Sequence, residues 1–425
     1  MNFAQGHVNP LMHFAELLAM RGFFITFVTT EWIDQRLLKE ASTDAAARDR
    51  EAKERGLKFR FLSVPDGLTP DHGRTTELGE LFLVLQNMGP ALENLLTAAD
   101  TSVPPITCIV SDSYISYTAE VAQNLGVPRV IFWTCCTAKS LAQTNANVLL
   151  SQGHIPVTDI LSPTSVFPAF LYVYFTRHKN IADYLLVNTF EELEGRKEAQ
   201  MGLSVNGCPA LAVGPVSLPN FLQGENTNVS MLEEDNTCFR WLDSQPKQSV
   251  LYVSFGRLAV KFERQLHELA LGLEASGFPF LWVLRLDIAE GKSLELPEGF
   301  KERTKDRALV VSWTKQFQVL SHPSVGGFFT HNGWNSILEA ISMGVPMIGW
   351  SYFSHQFINY FEGVDTDESK LVTKEELENV VKDLMEVSVG KKLQRNIAMY
   401  RDVATKAVMP GGSSFENLKA FVEDM

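Results

Sequence analysis

From Trp313 to Gln356 the chain reads WTKQFQVLSHPSVGGFFTHNGWNSILEAISMGVPMIGWSYFSHQ. Within it, Gly326-Gly327-Phe328-Phe329-Thr330 is a short apolar run of the kind that forms a buried parallel strand, and Ile337 to Met343 has helical character. The loop between them, Thr330-His331-Asn332-Gly333-Trp334-Asn335-Ser336, opens that helix. Backbone N–H groups without intrahelical partners, and the positive end of the helix dipole, then face whatever lies beyond the strand's carboxyl end. That arrangement suits a diphosphate. His331 adds a ring donor, and Asn335 and Ser336 add side-chain donors. Singly, His331 would read as a core histidine and Ser336 as a helix cap; their convergence favours a binding role.

Outward from this unit the alternation continues. On the amino-terminal side, Ser249 to Gly256 reads as a strand, Glu263 to Ser276 as a helix, and Phe280 to Leu284 and Leu309 to Val311 as strands. Earlier still, Leu11, Phe14, Ala15, Leu17 and Leu18 recur at helical spacing between Pro10 and Arg21, and Phe23 to Thr29 reads as a strand. Ile106 to Val110, Val130 to Trp133 and Tyr184 to Asn188 read as further strands, with a helix from Ile115 to Leu125. The Pro- and Asn-bearing stretch from Gly214 to Gln245 interrupts the series. The expected architecture is α/β: two doubly wound, Rossmann-like lobes facing a ligand cleft at the carboxyl ends of their sheets. Residues 1–213 form the first lobe, 214–245 a linker, 246–408 the second lobe, and 409–425 a helix that packs back on the first lobe.

A length of 425 residues is too great for one compact core and fits two lobes. With 45% hydrophobic, 10% aromatic and 20% charged residues, the chain has enough apolar surface to offset its ordering entropy. Lys and Arg number 37 against 50 Asp and Glu, a net charge of −13, and no basic run stands out. Nucleic acid and anionic membranes are therefore poor partners. Five cysteines without CxxC spacing argue for free thiols in a reduced compartment. No signal peptide and no membrane-length apolar run is visible, so the expected location is cytoplasmic and the expected state monomeric. The sequon Asn228-Val229-Ser230 then has no secretory context.

No Walker loop, GxGxxG fingerprint, HExxH or GxSxG elbow occurs, which removes the local chemistry of P-loop NTPases, dinucleotide dehydrogenases, zincins and serine hydrolases. The Trp313–Gln356 stretch instead resembles, in length and at most of its distinctive positions, the plant secondary-product box of the UDP-sugar-dependent glycosyltransferases of GT-B fold. The resemblance implies that His331, Asn335 and Ser336 hold the diphosphate of a UDP-sugar co-substrate, with Gly333 and Trp334 beside them. Trp313 would stack on uracil, the Thr314 backbone would meet the base edge, and Gln316 and Glu339 would reach the ribose hydroxyls. Glu339 suits this physically, because a carboxylate accepts bonds from two hydroxyls. Ser254, after Val250 to Val253, falls near the phosphates, and Gln356 matches a sugar contact.

Near the amino terminus, Ala4-Gln5-Gly6-His7-Val8-Asn9-Pro10 sets His7 in a loop before a helix, where an imidazole can act as a general base. It resembles the family's Gln-Gly-His segment, whose histidine deprotonates the acceptor hydroxyl. Asp112, ending Ile109-Val110-Ser111-Asp112, looks like the carboxylate that orients this histidine, and Thr134 matches a position that touches the sugar. The implied reaction needs no metal or cofactor, and its acceptor is a small, largely apolar molecule.

Several positions depart from the family pattern. Only four residues precede Gln5, so the first lobe is expected to lack most of its first strand. The connections near Phe170–Tyr174 and Ile358–Val364 are short, Arg257 stands where serine is usual near the phosphates, and His355 stands where a carboxylate usually contacts the sugar. These departures keep open a second class, a non-catalytic UDP-sugar-binding protein with a damaged acceptor lobe. A bacterial-type cell-wall glycosyltransferase is disfavoured by the detail of the box.

Overall fold

A computed structural model of the chain describes residues 5–40, 50, 52, 54–68, 88–98, 102–144, 182–195, 210–224, 237–255, 263–284, 295–350, 372–386 and 389–425. Arg257, His355 and Gln356, and the short connections near Phe170–Tyr174 and Ile358–Val364, lie outside the described residues. In chain order the elements are α1 (Gln5–Ala19), β1 (Ile25–Thr30), α2 (Glu31–Glu40), β2 (Phe59–Val64), α3 (Gly89–Thr97), β3 (Ile109–Asp112), α4 (Thr118–Leu125), β4 (Arg129–Trp133), α5 (Thr137–Thr144), β5 (Tyr184–Val187), α6 (Glu191–Glu194), β6 (Ala210–Ala212), α7 (Leu218–Leu222) and α8 (Thr237–Asp243). They continue with β7 (Val250–Ser254), α9 (Glu263–Ser276), β8 (Phe280–Val283), α10 (Phe300–Thr304), β9 (Ala308–Val311), α11 (Gln316–Ser321), β10 (Val325–Thr330), α12 (Trp334–Met343), β11 (Met347–Gly349), α13 (Lys374–Met385), α14 (Val389–Val408) and α15 (Ser413–Asp424). No helix of the described residues is long and apolar enough to cross a membrane.

The chain divides into two compact units, Met1–Leu232 together with Lys406–Met425, and Glu233–Thr405. In the first unit the described strands form two separate parallel sheets, β1-β2 and β3-β4-β5-β6. Helix α1 packs on both. Phe14, Leu17 and Leu18 join Val130, Phe132 and Leu186 of the four-stranded sheet, while Met12, Ala15 and Ala19 join Ala52, Leu57 and Phe59. Two apolar stripes at helical spacing thus seat one helix against two sheets, and each large side chain so buried contributes about 1.5–3 kcal/mol. Helix α15 closes the same core. Phe421 meets Tyr184 edge-on at 5.5 Å, and Ser414 Oγ donates to the Gly214 carbonyl at 2.6 Å.

Helix α1 starts at Gln5, earlier than the sequence suggests, because proline favours the first helical position and Pro10 marks that start in the sequence. His7 therefore lies in a first turn rather than in a loop. Strands β2, β6 and β11 also escape the sequence reading, β6 and β11 because three residues each carry no periodicity.

The second unit carries a parallel sheet of order β11-β10-β7-β8-β9. Alternate residues face opposite cores: Leu251, Val253, Phe280, Trp282 and Phe329 on one side, and Val250, Tyr252, Leu281 and Phe328 on the other. A sheet buried on both faces explains why these strands read as continuous apolar runs. The chain leaves β7 toward β8 and β9, then crosses back to β10 and β11. Strand order therefore reverses between β7 and β10, where Ser254 and Thr330 are paired in register. Open α/β sheets bind ligands at such a reversal.

Candidate active site

Two groups of side chains gather, one in each unit. In the first, His7 Nδ1 lies 2.6 Å from Asp112 Oδ2, joining α1 to the end of β3. The Asp112 side chain is 1% exposed and that of His7 15%. The other Asp112 oxygen, Oδ1, accepts the Tyr114 N–H at 2.8 Å. A carboxylate only accepts, so the proton of the imidazole sits on Nδ1 and Nε2 carries the free lone pair. Thr134, which follows β4, places Oγ1 3.0 Å from His7 Nδ1. The residue that the resemblance places against the sugar thus also stands beside the His7 ring.

Beneath this pair lies a group that sequence reasoning missed. Lys139 on α5 donates from Nζ to Tyr114 Oη at 2.9 Å and lies 3.6 Å from Cys135 Sγ. Burial pushes up the Tyr114 phenol and the Cys135 thiol, and it drives Cys136 up to about 12 with help from Glu194. Burial works against the Lys139 charge, and the neighbouring Cys135 and Tyr114 outweigh it, leaving the ammonium above its ordinary range. A lysine in a short helix reads as a surface residue, and only the packing of α5 buries it.

In the second unit the loop after β10 and the first turn of α12 stand at the strand reversal. Helix α12 begins at Trp334 rather than Ile337, so Asn335 and Ser336 lie in its first turn. Its N-cap is Gly333, which supplies no capping side chain, so no side chain at that position competes for the first-turn N–H groups. Asn332 before it adopts φ 59°, a left-handed conformation tolerated by asparagine. Its buried amide packs on Gly349, where an added Cβ would come within 2.4 Å of the amide Oδ1.

His331 is driven down to about 4 by burial, the Ser254 backbone pulling weakly the other way, so the ring is neutral at pH 7. Its Nδ1 is fully buried without a hydrogen bond of normal geometry, as is Thr330 Oγ1. The helix N-terminus that follows, without a side-chain cap, is a place suited to an anionic ligand. Gln316 Nε2 donates to Ser336 Oγ at 3.0 Å and to Glu339 Oε2 at 2.8 Å, tying α11 to α12. Thr314 is buried, its Oγ1 3.1 Å from Cys238 Sγ, and Trp313 is half-buried after β9. Trp334 is buried.

The His331 shift has a consequence for stability. Unfolded, the ring takes a proton near 6.5; folded, it resists protonation down to about 4. This unit is therefore at full stability above about 6.5 and loses on the order of 2–3 kcal/mol as pH falls toward 4. His331→Gln should flatten that fall in denaturant titrations at pH 7 and 4.5. An equal loss in the variant would remove His331 as the cause.

Two parallel α/β units, one with an anion cradle at its strand reversal and one with a histidine–carboxylate pair, have the features of a GT-B glycosyltransferase. The family model described as UDP-glucoronosyl and UDP-glucosyl transferase matches residues 92–402, and the chain belongs to that family. It is 36% identical over 473 residues to 7-deoxyloganetin glucosyltransferase of Gardenia jasminoides, covering 99% of this chain and 95% of that protein. It is 33% identical over 468 residues to linamarin synthase 1 of Manihot esculenta, covering 99% and 95%. These alignments exceed the 425 residues of the chain, so the relatives carry segments that it lacks. Among solved structures, Os79 of O. sativa in complex with UDP superposes with a TM-score of 0.82 at 25% identity, covering 100% of this chain and 98% of that one. Phytolacca americana UGT2, complexed with UDP-2fluoro-glucose and pterostilbene, gives 0.78 at 27% identity, covering 99% and 97%.

Proposed function

We propose that the protein is an inverting glycosyltransferase that moves glucose from UDP-glucose to a hydroxyl or carboxyl of a small, largely apolar acceptor, giving a β-glycoside. The observation that carries this reading is the His7–Asp112 pair at 2.6 Å. A protein that only bound UDP-sugars would have no use for a histidine held in one tautomer by a buried carboxylate.

In this reading Nε2 of His7 takes the acceptor proton as the acceptor oxygen attacks the anomeric carbon from the face opposite UDP. The bond from that carbon to the diphosphate oxygen breaks, and its electron pair leaves with UDP. Asp112 stabilises the imidazolium that results. The first-turn N–H groups of α12, with His331, Asn335, Ser336 and Ser254, stabilise the departing diphosphate, and Arg257 adds a cation. Trp313 stacks on uracil and the Thr314 backbone meets the base edge. Gln316 and Glu339, bonded to each other here, exchange that contact for ribose hydroxyls. His355 and Gln356 meet the sugar. These residues call for no metal and no cofactor, and the protein acts as a cytosolic monomer.

Glucose as the donor sugar is supported by the relative from Gardenia jasminoides, a glucosyltransferase by name. The test is turnover of UDP-glucose with a panel of phenolic and terpenoid alcohols, together with UDP calorimetry on Trp313→Ala. Stacking a base on an aromatic ring contributes about 1–3 kcal/mol, so this substitution should weaken UDP by that amount. UDP binding without transfer to any acceptor would leave only a binding protein, and unchanged affinity would take Trp313 out of the base site.

A further inference from the structure

The hydroxyl of Thr134 has no part in the chemistry above, yet it stands at the nitrogen through which the dyad is joined. Its Oγ1 lies 3.0 Å from His7 Nδ1, the same atom that Asp112 Oδ2 meets at 2.6 Å. Because Nδ1 carries its proton toward the carboxylate, Thr134 serves this nitrogen as a second acceptor of the same N–H. The packing that makes the contact belongs to the core. His7 and Phe14, seven residues apart, share one stripe of α1, and Phe132 and Thr134, two apart along β4 and its continuation, point to one side. Phe14 stacks on Phe132 at 4.9 Å, so the seating of helix on strand that closes the core also brings His7 to Thr134. Thr134 is itself firmly placed. It is 2% exposed, it follows a strand buried along its whole length, and the Trp133 carbonyl just before it accepts the Asn188 N–H at 2.9 Å.

A single hydrogen bond fixes a distance and leaves the ring free to turn about it. The Asp112 contact alone therefore does not decide where Nε2 points. The Tyr114 ring, edge-on to the imidazole with centroids 5.1 Å apart, limits that rotation from one direction, and Thr134 Oγ1 limits it at Nδ1. We propose that Thr134 is a positioning residue for the transfer reaction: its hydroxyl oxygen is a second acceptor for the His7 Nδ1–H and, with the Tyr114 ring, it fixes the plane of the imidazole and so the direction of Nε2. The proposal rests on His7 being the base. A reacting group misplaced by about 1 Å costs on the order of 10²-fold in rate, so a contact that holds the ring plane governs turnover without touching the acceptor. This role differs from the sugar contact that the resemblance implies for Thr134, because it is exerted on the ring whether or not a sugar is bound.

The experiment compares the full chain with Thr134→Val, Thr134→Ala and Thr134→Ser. In Thr134→Val a methyl takes the place of an oxygen 3.0 Å from Nδ1, nearer than the roughly 3.5 Å at which a carbon makes good contact, so the ring is pushed as well as released. Two quantities are read. The first is the split between kcat and KM for UDP-glucose with an alcohol acceptor. The second is the order of the His7 ring in the ligand-free chain, from NMR relaxation dispersion of its Cδ2 and Cε1, assigned among the nine histidines with a His7→Gln control. Thr134→Val should lower kcat by roughly 10- to 100-fold with KM for UDP-glucose held, and should bring exchange to ring carbons that show none in the parent. Thr134→Ala, which removes the oxygen without the push, should act in the same direction to a lesser degree; it decides the matter if Thr134→Val does not fold. Thr134→Ser, which returns the oxygen, should restore both quantities toward the parent. Ring dispersion or kcat unmoved in Thr134→Val and Thr134→Ala, or Ser behaving as Val does, overturns the proposal; a raised KM with kcat held would leave the hydroxyl to the sugar alone. Absence of any glucosyl transfer by the parent chain would instead sink the proposed function, while the ring measurement, made without ligand, would still report on Thr134.

Discussion

His7→Ala should lower glucosyl transfer by about 10²- to 10⁴-fold while leaving UDP affinity close to that of the parent. The rate falls because no other described side chain shares the arrangement of a ring nitrogen fixed by a carboxylate at 2.6 Å. Affinity is kept because the residues assigned to UDP, from Ser254 to Glu339, all belong to the Glu233–Thr405 unit, whereas His7 belongs to the other. Asp112→Asn should approach the same loss by another route. An amide in that place offers an oxygen or an NH₂ to Nδ1, and the second choice reverses the tautomer, placing the proton on the nitrogen that must accept one. Initial rates at saturating UDP-glucose, with calorimetric UDP binding alongside, check both substitutions. Transfer surviving at a similar rate in His7→Ala would overturn the base assignment.

The second large effect is expected at Gly333. Its backbone, φ −61° and ψ 135°, suits any residue, so alanine there costs nothing in conformation and removes unfolded-state entropy. The obstacle is steric. A Cβ would stand 2.6 Å from Nε2 and 3.0 Å from Cε1 of His331, and the ring must move away from the mouth of α12. A hydrogen bond to a charged group contributes about 1.5–3 kcal/mol, so Gly333→Ala should weaken UDP by roughly 10- to 100-fold with thermal stability held. The double variant with His331→Ala should then bind no more weakly than His331→Ala alone. Unchanged UDP affinity in Gly333→Ala would separate His331 from the diphosphate.

Much of this was legible in the sequence because it is local. The run from Val325 to Met343 encodes strand, loop and helix within one short segment, and the polar residues of the loop fall at the strand's end by connectivity alone. The five strands of the second unit announce themselves as apolar runs because both faces of their sheet are buried. Fold class, the location of the anion cradle and the family all follow from such short-range patterns.

What the sequence left open depends on contacts between residues far apart in the chain. The pairing of His7 with Asp112, 105 positions away, was implied by the family resemblance and not by any local pattern; it is brought about, with Thr134 reaching the same nitrogen, by α1 packing on the four-stranded sheet through Phe14, Leu17 and Leu18. The start of α1 at Gln5 escaped notice because Pro10 signals a helix start of its own, and tertiary packing overrides that local preference. Lys139 shows the limit most clearly. Its neighbours in sequence, Thr137 and Ser140, give no sign that it is buried, and its contact with Tyr114 is made only by the packing of α5. Local chemistry writes the strand, the loop and the helix end; which charged groups share a low-dielectric interior is fixed by the packing of distant segments, and no single stretch of sequence carries it.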